Sequence, residues 1–414
     1  MPSLLITEIK ILVGVHPAEV KVLRGNEMGD LPVLKDAWLL LEEGKIKDFG
    51  EMASIPSELI SHHSQLKAKG RLVFPSWCDS HTHLVFAESR EEEFVMKIKG
   101  KSYEEIAANG GGILNSATKL RSATEEYLFE YASRRLDEII RMGTGAVEIK
   151  SGYGLSIEGE LKMLRVIRRL KKSSPIPIKA TFLGAHAFPM EYKNDHEGYL
   201  NLLINKMLPR IADEGLTDYI DVFCEKGFFS VDETSRILDA GARYGLKSKI
   251  HANQLSASGA VELGVKCGAL SVDHLEVLND AALNALKNST TIATLLPACS
   301  LFLGIPFADA RALINAGIPL AIASDYNPGS APSGNMNLVV SLACIMQKML
   351  PEEAINAATI NGASAMELNA THGSITRGKS ANIFITKPMS SIAYLPYSFG
   401  SSLVDTIILN GKIY

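Results

Sequence analysis

His81 and His83 follow the short apolar run 72–77 and sit one residue apart. In an extended strand, residues two apart point to the same side, so this pair can offer two imidazoles to one metal ion. The pair alone decides little, because histidines at a strand end also serve as ordinary hydrogen-bonded polar groups. Further groups of the same chemical type recur downstream at His186, His251, His274 and Asp325, each at or just after the end of a short apolar segment. Three imidazoles and a carboxylate around one ion, with a position left for water, make a hydrolytic centre: water on such an ion loses a proton near neutral pH and can attack a carbonyl.

The segments that must position these groups have a regular rhythm. Short apolar strands are expected at 72–77, 145–150, 178–184, 219–224, 247–251, 269–274, 290–296 and 319–324, alternating with amphipathic helical stretches. Eight βα units predict an α/β fold, a (β/α)8 barrel of the TIM type whose active site lies at the C-terminal strand ends. A doubly wound open sheet is the rival, but no Gly-x-Gly-x-x-Gly follows the first strand. On the barrel reading, five of the chain's ten histidines and Asp325 fall on one rim, which packing alone does not account for.

Both ends of the chain read differently. Residues 1–70 alternate apolar runs with turn chemistry, including a Glu43-Gly44 hairpin, and residues 376–414 repeat the style. The expected division is therefore a barrel over 71–375 and one small β-sandwich built from both termini.

Composition narrows the class. With 42 basic and 46 acidic residues the 414-residue chain carries a net charge of −4, with no basic stripe to suggest nucleic acid or an anionic membrane. No apolar run approaches the ~20 residues of a membrane span, and the opening residues lack a signal-peptide layout, so a cytoplasmic protein is expected. The five cysteines lack Cys-x-x-Cys spacing and read as reduced core thiols. Gly110-Gly111-Gly112 lacks the Lys-Ser/Thr ending of a phosphate loop and reads as a flexible loop over the barrel mouth. The basic stretches 97–101 and 165–172 read as solvated helical faces.

Taken together, 79–87, Arg90, 110–113, 148–155, 182–186 and 324–330 resemble the amidohydrolase superfamily, which joins such a barrel to a small β-sandwich. The similarity is strongest to members that open an imidazolone ring bearing a propionate tail. It implies one divalent metal per subunit, zinc or iron, on His81, His83, His251 and Asp325. Asp325 would also move the water's proton to the leaving nitrogen, and His274 would polarise the attacked carbonyl; the alternative is Asp325 as ligand only and His274 as an orienting group. Glu225, after the fourth strand, is a candidate bridge for a second metal.

The resemblance also implies how a carboxylated ring would be held. Arg90 would be a bidentate carboxylate fork, with a surface pair to Glu91–Glu93 as the plainer reading. Tyr153, Tyr103 and His186 would contact tail or ring, and Asn327, Gly329 and Ser330 would hold product carboxylates. Related deaminases carry His-x-x-Glu where this chain reads His251-Ala252-Asn253-Gln254. An amide cannot ionise, so Gln254 can orient a ring but not shuttle a proton, which favours ring opening over release of ammonia. The remaining alternatives are an aminohydrolase or other cyclic-amide hydrolase, and a catalytically silent barrel. A homodimer is expected from the resemblance.

Overall fold

The computed structural model describes residues 3–101, 105, 111–399 and 401–414, and the strands among them form two eight-stranded sheets. The opening segment supplies β1 (Ser3–Val13), β2 (Val33–Glu42), β3 (Lys45–Glu51), β4 (Ser64–Lys67) and β5 (Leu72–Pro75). The middle supplies β6 (Trp77–Asp79), β7 (Thr144–Lys150), β8 (Ile178–Ala185), β9 (Tyr219–Cys224), β10 (Lys247–Ala252), β11 (Ser271–His274), β12 (Ile292–Leu295) and β13 (Leu320–Ile322). The tail adds β14 (Ile383–Thr386), β15 (Val404–Leu409) and β16 (Lys412–Ile413).

The terminal sheet runs β16-β15-β14-β5-β1-β2-β3, with β4 beside β1, so both chain ends build one layer. They meet where β14 pairs antiparallel with β5 and Phe384 stacks on Phe74 at 5.2 Å. Ile6, Leu12, Leu39, Ile383 and Ile408 fill its own apolar core. The expected β2–β3 hairpin is present: Glu43 and Gly44 have φ of 53° and 76°, the pair of positive φ values that matches the twist of the flanking strands.

One expected barrel strand is divided. The run 72–77 is not a single strand, because Leu72–Pro75 belongs to the terminal sheet and only Trp77–Asp79 enters the barrel. Pro75 has no N–H to continue a ladder. The hydrogen bonds change sheets across one residue: Ser76 N donates to Asn382 O at 3.1 Å, and Trp77 N to Gly143 O at 2.9 Å.

Strands β6 to β13 pair in chain order, all parallel, as the βα rhythm predicted. The intervening helices carry apolar stripes at helical spacing, such as Leu128, Ala132, Leu136 and Ile139 on helix Glu125–Arg141, whose first turn Thr124 caps at Tyr127 N. Closure comes just beyond the first and last strands. Asp325 N donates to His81 O at 3.0 Å and His83 N to Tyr326 O at 2.9 Å, with a parallel bridge between Thr82 and Tyr326. Among the described residues no helix is long and apolar enough to cross a membrane.

Candidate active site

The strand ends bring the six polar residues of the sequence reading onto one rim. His81 and His83 lie just past β6, His186 just past β8, His251 on β10, His274 at the end of β11 and Asp325 just past β13. His81 Nε2 is 3.3 Å from His83 Nε2, and Asp325 Oδ1 is 3.5 Å and 3.4 Å from those two atoms. The His81 and His251 rings are 4.5 Å apart, and His274 stands against both. Two sets, His81 with His83 and Asp325 and His81 with His251 and His274, each bring their ligand atoms within 4.8 Å of one another, and all five residues are buried. His274 and Asp325 take φ of 87° and 54°, a left-handed backbone that costs a non-glycine residue about 1 kcal/mol or more and turns each side chain into the barrel mouth.

Beneath the rim lies a layer of buried charge. His81 Nδ1 meets Asp273 Oδ2 at 2.6 Å, and His251 Nδ1 lies 3.0 Å from Asp221 Oδ2. Lys150 Nζ joins the two aspartates, 2.8 Å from Asp221 and 3.7 Å from Asp273, and reaches Glu148 at 2.6 Å. Lys249 pairs with the other oxygen of Glu148 and donates to Ser80 O at 3.1 Å. Three carboxylates therefore face two ammonium groups with no solvent between them, an excess of negative charge that suits a cation above. Burial disfavours the charge on Asp221, but His251 and Lys150 outweigh it and hold the carboxyl well below the usual range. Burial likewise opposes the Lys150 charge, and Asp221, Glu148 and Asp273 reverse it and raise that ammonium's pKa. The sequence reading missed this layer, although a signal is present in part: Glu148 and Lys150 lie two apart on β7, and Asp221 is the one charged residue of β9, whereas β10 and β11 carry several polar residues that mask Lys249 and Asp273.

The rim fits a divalent cation. With Nδ1 of His81 bonded to Asp273, its lone pair is on Nε2, facing the other imidazoles. Burial, then the Lys150 and imidazole charges, push the His81 pKa well below 6.5, which keeps that ring neutral. His251 Nε2 and His83 Nδ1 are buried without a hydrogen-bond partner among the described residues. Burial alone would raise the Asp325 carboxyl, but His83, His274 and His251 prevail and lower it. His274 differs from the other rings: burial disfavours its charge, but the carboxylates of Glu276, Asp325 and Asp273 raise its pKa. Glu225, the candidate bridge to a second metal, instead accepts from Leu255 N and Ser256 Oγ and orders that loop.

A cavity of about 300 Å³ opens above the cluster, lined by Arg90, Tyr153, His186, Gln254, Asn327, Gly329 and Ser330 as well as by the histidines. Of the expected substrate contacts, Tyr103 lies outside the described residues, as does Gly110. His186 stacks on His83 at 5.2 Å and engages Gly152 O through Nδ1 at 3.1 Å. Gln254 Nε2 reaches Cys299 Sγ at 3.5 Å. The Asn327 loop is less open than expected: Asn327 Oδ1 accepts from Gly329 N and Ser330 N, both at 2.8 Å, and Nδ2 donates to Asp325 O and Ser330 Oγ. Its donors are engaged in holding Asp325.

Of two charged residues near the mouth, Arg90 combines the two readings the sequence offered and Lys97 departs from its own. Arg90 lines the cavity and is also paired with Glu93, through Nε at 2.9 Å and Nη2 at 2.5 Å, so its fork is already occupied. Lys97, expected on a solvated face, lines the cavity. Of the five free thiols, Cys78, Cys224 and Cys299 are buried as expected, while Cys267 and Cys344 are half-buried.

A closed parallel barrel with His-x-His after its first strand, His251 and His274 on later strands and Asp325 after its last is the framework of the amidohydrolases. The amidohydrolase family model matches residues 72–414, and the chain belongs to that family. Imidazolonepropionase of Christiangramia forsetii is 56% identical over 411 residues, covering 99% of this chain and all of that protein. Imidazolonepropionase of Flavobacterium johnsoniae is 56% identical over 409 residues, 99% of each chain. Among solved structures, E. coli guanine deaminase superposes with a TM-score of 0.74 at 13% identity, covering 100% of this chain and 99% of its own, a likeness of fold.

Proposed function

We infer that the chain catalyses the imidazolonepropionase reaction of histidine degradation, hydrolysis of the ring C–N bond of 4-imidazolone-5-propanoate to N-formimino-L-glutamate. The observation that carries the chemistry is the His/Asp cluster at the floor of a cavity sized for a small heterocycle. The full-length likeness to named imidazolonepropionases supports this substrate.

In this reading His81, His83, His251 and Asp325 hold one ion, zinc or iron, both of which accept three imidazoles and a carboxylate. When bound, the ion supplies the Lewis acidity that makes water a nucleophile at neutral pH. Asp325 accepts the water's proton and delivers it to the departing ring nitrogen, so that a C–O bond forms, the C–N bond breaks and the carbonyl carbon becomes a carboxylate. His274 hydrogen-bonds the carbonyl oxygen as negative charge develops there. Gln254 orients the ring, with Tyr153 and His186 beside it. The active unit in this reading is a cytoplasmic homodimer.

A deaminase of the same fold is the rival, and Gln254 weighs against it because an amide cannot move a proton to a departing amine. The deciding experiment is turnover of freshly generated imidazolone propionate by metal-loaded and chelated enzyme, read by ultraviolet loss of the ring and by released ammonia. Metal-dependent ring loss without ammonia is expected. Ammonia release would replace the reading with an aminohydrolase, and no reaction would remove the substrate.

A further inference from the structure

We propose that Lys97, on helix Glu91–Ile98, is the specificity-determining cation of the cavity, supplying the net positive charge that selects a ligand with a carboxylate tail. The inference rests on the activity proposed above and adds to it the residue that selects the tail.

The argument begins with what Arg90 lacks. Its guanidinium gives Nε and Nη2 to the two oxygens of Glu93, a bidentate pair between buried or nearly buried groups, so the pair carries no net charge. Glu93 also takes Gly112 N at 3.0 Å, which anchors the clamp to the glycine loop. The remaining nitrogen, Nη1, lies against Gly329, where a Cβ would come within 2.2 Å of it. Arg90 is therefore a donor of fixed direction and no longer a free cation. Asp325, also on the wall, is an anion.

Lys97 is released by the same clamp. Glu93 and Lys97 are four residues apart on one helix, the spacing at which such pairs normally meet. Here Glu93 is engaged by Arg90 and Gly112, and Lys97 has no ion pair or hydrogen bond among the described residues. Half-buried on the cavity wall, its ammonium is, among the described residues, the one positive group there without a partner. Burial and then Arg90 lower its pKa while Glu93 opposes them, as expected of a cation short of anionic neighbours. An incoming carboxylate supplies the missing partner and also accepts from Arg90 Nη1.

The test compares wild type, Lys97→Met and Lys97→Arg, with melting temperatures to confirm folding. For imidazolone propionate, Lys97→Met raises KM about 10- to 100-fold with kcat within about 3-fold, and Lys97→Arg recovers most of the loss. Calorimetry with glutarate and the uncharged glutaramide reads the same site without turnover: wild type prefers glutarate, and Lys97→Met loses the preference. A wild type that prefers glutarate but does not open the ring, with the preference lost in Lys97→Met, would leave Lys97 in its role and remove the proposed reaction. Unchanged KM, a fall in kcat alone, or a wild type that binds the two probes equally would overturn the proposal.

Discussion

His81 Nδ1 and Asp273 Oδ2 are 2.6 Å apart, both side chains fully buried, and they join residues 192 positions apart in the chain. The aspartate is itself fixed, accepting from Ser271 Oγ at 2.5 Å. This contact sets the imidazole's tautomer, so the lone pair on Nε2 faces the rim before any ion arrives.

Asp273→Asn therefore weakens metal binding by roughly 10- to 100-fold without removing a ligand. Competition against a chromophoric chelator reads the affinity directly. Wild-type affinity in a folded variant would show that the tautomer is set elsewhere.

Asp325→Asn removes the proposed proton acceptor while keeping the side chain's shape. We expect kcat to fall by roughly 10²- to 10⁴-fold. Stopped-time assays on protein of measured metal content separate this loss from loss of the ion. A near-normal rate at full metal occupancy would leave Asp325 as a ligand only.

Gln254→Ala, at the position where related deaminases carry glutamate, should raise KM with only a few-fold change in kcat, because in the proposed reading the amide orients the ring and, being unable to ionise, moves no proton. Steady-state kinetics with imidazolone propionate distinguish the cases. A large drop in kcat at constant KM would assign the amide a part in the chemical step.

Asp79 gives a pH dependence to stability. Burial raises its carboxyl from 3.8 to about 7, although hydrogen bonds from the Ser324 hydroxyl and backbone oppose the shift. The unfolded chain releases this proton near pH 4 and the folded chain holds it to about pH 7. The group's contribution to stability is thus full below pH 4 and is lost as pH rises through 7. Asp79→Asn, neutral and of the same shape, should flatten that decline in urea unfolding compared at pH 5 and pH 8. An equal decline in variant and wild type would refute the assignment.

The rim was legible in the sequence because His81, His83, His251, His274 and Asp325 mark the ends of strands whose apolar period is plain, and strand ends converge in a parallel barrel. Asp221 and Asp273 were not, since Asp221 meets His251 from the neighbouring strand and Asp273 meets His81 from a strand that is not its neighbour, pairings that strand periodicity does not reveal. Asp273 and His274 are adjacent yet both face inward, an exception to strand alternation made by the left-handed backbone at His274. Lys97 was misread because helical spacing reveals a helix's faces but not which of them covers a cavity. Arg90 combined two readings, wall residue and partner of Glu93, that the sequence presented as alternatives.

The seam that closes the barrel also determines when the site can exist. Asp325 N bonds to His81 O, and Asp79 accepts from Ser324 across a separation of 245 residues. A chain that has been synthesised through its seventh barrel strand holds His81, His83 and His251 but not Asp325, the proposed carboxylate ligand. The proposed ligand set is complete only when the last strand docks on the first, so metal uptake is expected to report completion of the barrel, and a chain interrupted before residue 325 is expected to carry an incomplete centre.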